Sequence, residues 1–249
     1  MFYHYRKIME FDFDIMTLSE LAAYLKLAEK TVLRLVHRRE IPSFKVASQW
    51  RFKRSLIDEW MMTKIQGMPS SDLARLIESD HENVPLSRLI NKDTIIMDLR
   101  PGSKEDVLRQ LIQPLIRESA IAIEDDYLKM LLDRERMAST ALSMGVAIPH
   151  IRNPRENPSG GPYLTIGICR GGTDFQALDG APTFLFILLC AERETVHLRI
   201  MAKITLFLRR QSIIKKLISA GTEEEILSLF LHEERLNIFD SDNSVDDET

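Results

Sequence analysis

The chain has 249 residues, 45% of them hydrophobic and 28% charged, with a net charge of −4. That composition excludes a wholly disordered, collagen-like or disulfide-stapled protein and suits one or two globular domains. The charge is uneven: Thr17 to Gln66 carries +5, which leaves −9 for the remainder. Such asymmetry points to a nucleic-acid module joined to something else.

Taken in chain order, residues 1–15 form an N-terminal extension in which Phe11, Phe13 and Ile15 alternate with acids, as in a short strand. A start at Met16 is an alternative to Met1. The first residues lack a secretory h-region, so the protein is expected to be cytoplasmic. Residues 16–64 read as a helical unit. Thr17 or Ser19 caps a helix over Glu20–Leu25, and a second helix runs from Glu29 to Arg38 with Val32, Leu35 and Val36 inward. Phe44–Val46 and Trp50–Phe52 flank Ala47-Ser48-Gln49 as a hairpin. Ser55 opens a third helix with Leu56, Ile57, Trp60 and Met61 inward. Residues 65–84 form a linker broken by Gly67 and Pro69, with a short helix at Asp72–Glu78.

Residues 85–235 mix helix and strand periods, which predicts an α/β domain. Helices are expected over Ser103–Ser119, kinked or divided by Pro114, and over Asp125–Arg136, Thr195–Arg210 and Thr222–Leu231. Val146–Ile148, Leu164–Cys169 and Phe184–Cys190 read as buried strands, the last far too short to span a membrane. Cys169 and Cys190 sit in these apolar runs as core residues. The acidic tail, residues 236–249, reads as disordered.

Lys30, Arg34 and Arg38 recur at four-residue spacing and share a helix ridge, suited to the phosphates of duplex DNA. Lys45, Arg51 and Lys53 on the hairpin are placed to reach the flanking backbone. In Gly145-Val146-Ala147-Ile148-Pro149-His150, Pro149 keeps Ile148 extended and holds His150 rigidly at a strand end. Arg152 follows two residues on, where it could meet an anion. His197 opens a helix and shares a stripe with Met201, Ile204 and Leu208, so it points inward. His150 and His197 have no third metal ligand in evidence, and neither a metal nor a cofactor is expected.

Residues 16–62 resemble the excisionase-type (MerR-like) helix-turn-helix domain, through Leu18-Ser19-Glu20-Leu21-Ala22, Thr31–Leu35, Ile41-Pro42, Trp50-Arg51-Phe52 and Leu56–Trp60. The resemblance implies a small winged helix-turn-helix fold whose second helix enters the major groove. Glu29, Lys30, Thr31 and Arg34 would then face DNA, with Lys45, Gln49 and Arg51 in the wing. That family usually has glycine where Arg39 stands and another near Ala47-Ser48. A unit this small offers little contact area, so specific binding calls for a homodimer or a partner.

Residues 85–233 resemble the enzyme IIA domain of the bacterial phosphotransferase system, of the fructose, mannitol and nitrogen-regulatory type. The anchors are Asp133-Arg134-Glu135, Ser139-Thr140, Gly145–His150, Thr173-Asp174-Phe175, Asp179-Gly180 and His197-Leu198. The resemblance implies a mixed β-sheet flanked by helices, with His150 accepting a phosphoryl group from a histidine-phosphorylated phosphocarrier protein. His197 would bond that group and Arg134 would offset its charge; Thr140 and Arg152 would support it. Where the family commonly reads Gly-Ser-Thr-Gly-x-Gly-Asn-Gly, this chain reads Ala138–Gly145 with three glycines replaced. The combination implies a regulator that couples phosphotransferase status to transcription, its partners being the carrier, double-stranded DNA and other regulatory proteins. Two other readings stand beside it: a phosphotransferase component that relays phosphate to a separate IIB cysteine, and a phosphorylation-silent binding module.

Overall fold

The computed structural model describes residues 15–25, 27–54, 56–57, 60–61, 64, 84–152, 161–177, 179–191 and 194–242. The expected features at Phe11 and Phe13, over Asp72–Glu78 and in the end of the tail lie outside these residues. The chain divides into two compact units, Met1–Gly67 and Met68–Thr249.

In the first unit, β1 (Ile15–Met16) leads into α1 (Leu18–Leu25), which starts earlier than Glu20. Thr17 and Glu20 form a reciprocal cap: the Thr17 N–H donates to Glu20 Oε2 at 2.7 Å and the Glu20 N–H to Thr17 Oγ1 at 3.3 Å. These bonds also hold the Glu20 carboxyl below its ordinary pKa. Helix α2 (Glu29–His37) buries Val32 and Val36 against Leu21, Ala22, Ile41, Phe52 and Ile57. Strands β2 (Phe44–Val46) and β3 (Gln49–Lys53) pair antiparallel, and β1 pairs with the other edge of β3. Arg54, Leu56, Ile57, Trp60 and Met61 are helical. Leu56, expected inward, is 45% exposed, while Ile57 next to it is fully buried.

Both missing glycines fall where the backbone turns left-handed. Arg39 has φ 58°, just past the α2 C-cap. The Arg39 N–H donates to Val36 O and the Glu40 N–H to Leu35 O, the bond pair of a Schellman motif, which favours glycine at this position. The hairpin turn is Ala47-Ser48 alone, at φ 48° and 65°, so Gln49 belongs to the strand. Two positive φ values match a type I′ turn, in which Asn-Gly is preferred. The bond from Trp60 Nε1 to Glu40 O holds the chain just past Arg39, and the β2–β3 pairing closes Ala47-Ser48, in turn geometries that these residues do not favour by themselves.

In the second unit, 3-10 turns at Leu86–Arg88 and Lys92–Thr94 precede β4 (Ile95–Ile96). Helix α3 (Lys104–Arg117) follows, with Ser103 and Asp106 forming its capping box. The helix is not divided at Pro114. Its stripe of Val107, Leu108, Leu111, Ile112 and Leu115 is fully buried, which outweighs the roughly 3 kcal/mol cost of an interior proline. Helix α4 (Glu124–Met137) comes next, then β5 (Val146–Ala147), β6 (His150–Arg152), β7 (Tyr163–Thr173) and β8 (Thr183–Ala191). The chain closes with α5 (Glu194–Leu208), α6 (Gln211–Ser219) and α7 (Glu223–Asp242). Helix α6 was not expected, and α7 continues past Asp240 into the segment read as a disordered tail.

The sheet is mixed. β7 and β8 are antiparallel, while β4 runs parallel to β7 and both β5 and β6 run parallel to β8. Phe186, Leu188 and Cys190 pack in one cluster with the inner faces of α3 and α4. Alternation turns the buried Leu185, Ile187 and Leu189 to the opposite face, and α5 and α6 contact β8. Both faces of β8 are thereby covered, which explains its continuous apolar run.

Arg39→Gly and Ala47→Gly are each expected to stabilise the first unit by about 0.5–1 kcal/mol, relieved strain being offset in part by glycine's larger unfolded-state entropy. Trp50 and Trp60 are the chain's two tryptophans, so denaturant unfolding followed by tryptophan fluorescence reports on this unit. A lower midpoint in either variant would contradict the strain argument.

Candidate functional site

The register along β8 fixes the site. Ala147 pairs with Phe186 and His150 with Leu189, three residues apart on both strands. The chain therefore passes Ile148-Pro149 without a register shift. Pro149 lacks an N–H, but its carbonyl still accepts from Leu189 N at 3.0 Å. This corrects the expectation that the strand stops at His150; the strand resumes there and continues to Arg152. Alternation puts Ile151 in the cluster under α3 and α4 and turns His150 to the α5 side.

His197, in the first turn of α5, meets it there. The two rings lie 5.0 Å apart between centroids at an interplanar angle of 56°, and both histidines are about 95% buried. His150 Nδ1 lies 2.7 Å from Ile148 O. A carbonyl only accepts, so Nδ1 carries the proton and Nε2 is left with its lone pair. Burial first, then the nearby Arg134 charge, pushes the His150 pKa down to about 3 against the pull of the Ile148 bond. The ring is neutral at pH 7.

Arg134 is half-buried on α4, and its guanidinium donates to Ala138 O at 2.8 Å, which ties it to the loop before β5. That loop closes without three of the family's four glycines, keeping only Gly145. Ala138 is extended at φ −163°, and neither Ala141 nor Ser143 is left-handed. The left-handed residues are Met144, at φ 68°, and Gly145, at φ 74°. Ala141 bridges Ala147, and the Met144 N–H donates to Asp179 Oδ2 at 3.3 Å. A Cβ on Gly145 would stand 2.9 Å from Phe184 Cδ2 and 3.3 Å from the Pro182 carbonyl.

The Thr140 hydroxyl donates to Glu135, so it is bonded into the loop's own support. The side chain of Arg152 lies outside the described residues. Sequence reasoning missed Glu135 and Lys104, whose ion pair at 2.9 Å sits beneath the loop with Glu135 only 5% exposed. One signal was available: Glu135 continues the α4 stripe of Tyr127, Leu128 and Leu131, where a charge demands a buried partner. Cys169 and Cys190 are both fully buried, and burial pushes the Cys190 thiol up to about 11.

In the first unit, Glu29, Lys30 and Arg34 on α2 and Arg38 at its C-cap are exposed, with Thr31 half-buried; Arg38 lies 3.9 Å from Glu40. The wing residues divide. Gln49, Arg51 and Lys53 share the sheet face away from the core, with Arg51 donating to Gln49 Oε1 at 2.8 Å. Lys45 points to the other face, its ammonium 4.5 Å from the Trp50 ring centroid. Alternation along β2 and β3 separates it from the remaining wing cations.

Residues 88–233 match the family model described as phosphoenolpyruvate-dependent sugar phosphotransferase system, EIIA 2, over more than half of the chain. The chain belongs to that family. A helix-turn-helix domain model matches residues 15–64. A nitrogen regulatory protein of Bradyrhizobium diazoefficiens is 32% identical over 59% of this chain and 94% of its own length. A fructose-specific EIIABC component of Bacillus subtilis is 27% identical over 58% of this chain, which spans only 22% of that longer protein. The crystal structure of nitrogen regulatory protein IIA-Ntr from Neisseria meningitidis matches at 28% identity and a TM-score of 0.53, covering 58% of this chain and 98% of that one. The EIIA 2 match spans His150, Arg134 and His197, and the helix-turn-helix match spans α2 and the wing. No helix among the described residues is long and apolar enough to cross a membrane.

The His150 ring is expected to stay neutral down to about pH 5, with its Cε1 proton shift flat by NMR; a titration midpoint near 6.5 would contradict the burial argument. Because the folded pKa lies below the unfolded one, the unfolded chain binds the extra proton first. Stability conferred by the neutral ring is therefore complete above about pH 6.5 and is lost as pH falls toward 3. Gly145→Ala is expected to lower stability by about 1–3 kcal/mol, read from the denaturation midpoint of the second unit by circular dichroism. An unchanged midpoint would show that Phe184 and the left-handed turn relax freely.

Proposed function

We propose that His150 accepts a phosphoryl group on Nε2 from a histidine-phosphorylated carrier protein, and that this event governs DNA binding by the helix-turn-helix unit. The observation that carries the first half is the Nδ1–H bond to Ile148 O, which leaves the Nε2 lone pair available on a neutral ring. In the transfer, that lone pair forms a new N–P bond as the donor's P–N bond breaks and its electron pair returns to the donor imidazole. Such transfer depends chiefly on in-line positioning and charge stabilisation. Arg134 supplies the cation and His197 a ring nitrogen beside the acceptor. Thr140 acts through the loop, and Arg152 follows in the same strand.

The family membership supports the acceptor role, and the relatives called nitrogen regulatory proteins support regulation. Neither cysteine suits an onward transfer within this chain, being buried, with the Cys190 thiol pKa raised. The exposed Lys30, Arg34 and Arg38 ridge, with Gln49, Arg51 and Lys53 on the outer wing face, supports contact with duplex DNA. A phosphoryl group adds about −1.5 to −2 charge, enough to alter docking, dimerisation or DNA affinity. The domain limits that fit this reading are 16–64 and 85–235, joined by a linker over 65–84. The reading places the protein in the cytoplasm, where carrier and DNA are both available, acting as a homodimer or with a regulatory protein.

Incubation with phosphoenolpyruvate, enzyme I and the phosphocarrier is expected to add one acid-labile phosphoryl group by intact mass, absent in His150→Ala. No gain with cognate donors would overturn the acceptor reading. Arg34→Ala is expected to weaken DNA binding and to reduce the salt slope of log affinity by about 1. An unchanged slope would remove α2 from the interface.

A further inference from the structure

The second unit buries a charge that the transfer step itself does not use. Glu135 is 5% exposed on α4, yet it lies on the stripe that packs the core. Lys104 stands at the first position of α3, where the helix dipole disfavours a cation. Its ammonium nevertheless lies 2.9 Å from Glu135 Oε2, 3.4 Å from Ser139 Oγ and 4.9 Å from the Phe175 ring centroid. Ser139 in turn donates to Phe175 O at 2.7 Å and accepts from Ala141 N at 3.2 Å. Glu135 accepts the Thr140 N–H at 3.2 Å on both oxygens and also accepts the Thr140 hydroxyl. Thr140 O accepts the Ile148 N–H at 3.0 Å, and Ile148 O accepts the His150 Nδ1–H at 2.7 Å.

Each link has one sense. The carboxylate can only accept, so Thr140 must present both of its hydrogens to it. That anchors the residue whose carbonyl holds Ile148, and the Ile148 carbonyl in turn selects the proton-bearing nitrogen of His150. We propose that Glu135, held by Lys104, is a positioning residue for His150, acting through Thr140 and the Ile148 backbone to set the imidazole tautomer. The inference rests on the reading of His150 as phosphoacceptor, which gives the tautomer its purpose. Glu135 touches neither the ring nor the phosphoryl group; its effect passes through the loop. Supporting groups of this kind hold a reactive side chain in its productive geometry.

The test is long-range 15N–1H NMR on the full unphosphorylated chain labelled at its six histidines, with His150 assigned by its absence in His150→Gln. In the native chain the His150 proton sits on Nδ1. Glu135→Gln and Thr140→Val are expected to turn this into a mixture of tautomers. They also lower the initial rate of phosphoryl uptake at least tenfold, with little change in the carrier concentration giving half the maximal rate. Thr140→Ser, which keeps the hydroxyl, restores both readouts. If Thr140→Val keeps the native tautomer while its rate falls, Thr140 meets the phosphoryl group directly and the proposal is overturned. It is also overturned if both variants keep the native tautomer and rate. Thr140→Val changes one side chain by a single hydroxyl, so it decides the matter if Glu135→Gln fails to fold. If the native chain takes up no phosphoryl group, the acceptor reading falls, while the tautomer comparison still decides whether Glu135 positions the ring.

Discussion

The second unit depends on how one edge of β8 is covered. β8 is buried on both faces and pairs antiparallel with β7 along one edge. Along the other edge it needs a parallel neighbour, and the chain supplies β5 and β6 in a single register with Pro149 between them. A proline cannot donate, so that strand has to lie at an edge. The Ile148 N–H turns outward to Thr140 O instead, and the Ile148 carbonyl is left to receive the ring of His150. A hydrogen-bonded histidine thus sits beside a strand, β8, whose middle is apolar on both faces.

Burial then decides the chemistry of each titratable group near the sheet. It keeps the His150 ring neutral, while the Ile148 carbonyl fixes the tautomer. The same environment raises the thiol pKa of Cys190, so the cysteine packs rather than reacts. Arg134, Lys104 and Glu135 are each hydrogen-bonded to the loop before β5, through Ala138, Ser139 and Thr140 respectively. In the first unit the charges are exposed instead, and the short core of Met16, Leu21, Val32, Val36, Phe52 and Ile57 serves to present them.

Much of this was legible in the sequence. The α2 stripe, the capping residue Thr17, the strands around Val146, Leu164 and Phe184, and the inward His197 follow from periodicity and capping rules. Helix α6 was hidden because only Arg209-Arg210 separates it from α5, with no glycine or proline to mark a break. Arg39, Ala47 and Ser48 could not announce left-handed turns, since none is a residue type that favours that conformation by itself. Ala138 is the opposite case: its replacement of a family glycine matters little, because the backbone there is extended. The face occupied by Lys45 was readable from strand alternation. The Glu135 network was not, because it joins α3, α4 and a loop that are distant in sequence.

The central claim is that the Ile148 carbonyl chooses which nitrogen of His150 reacts. The most direct measurement is the position of the phosphoryl group on the phosphorylated ring, by 31P and long-range 15N NMR of the full chain. The account predicts phosphorus coupled to Nε2 of His150, with the proton retained on Nδ1. A phosphoryl group on Nδ1, which would require the Ile148 bond to break, would contradict it.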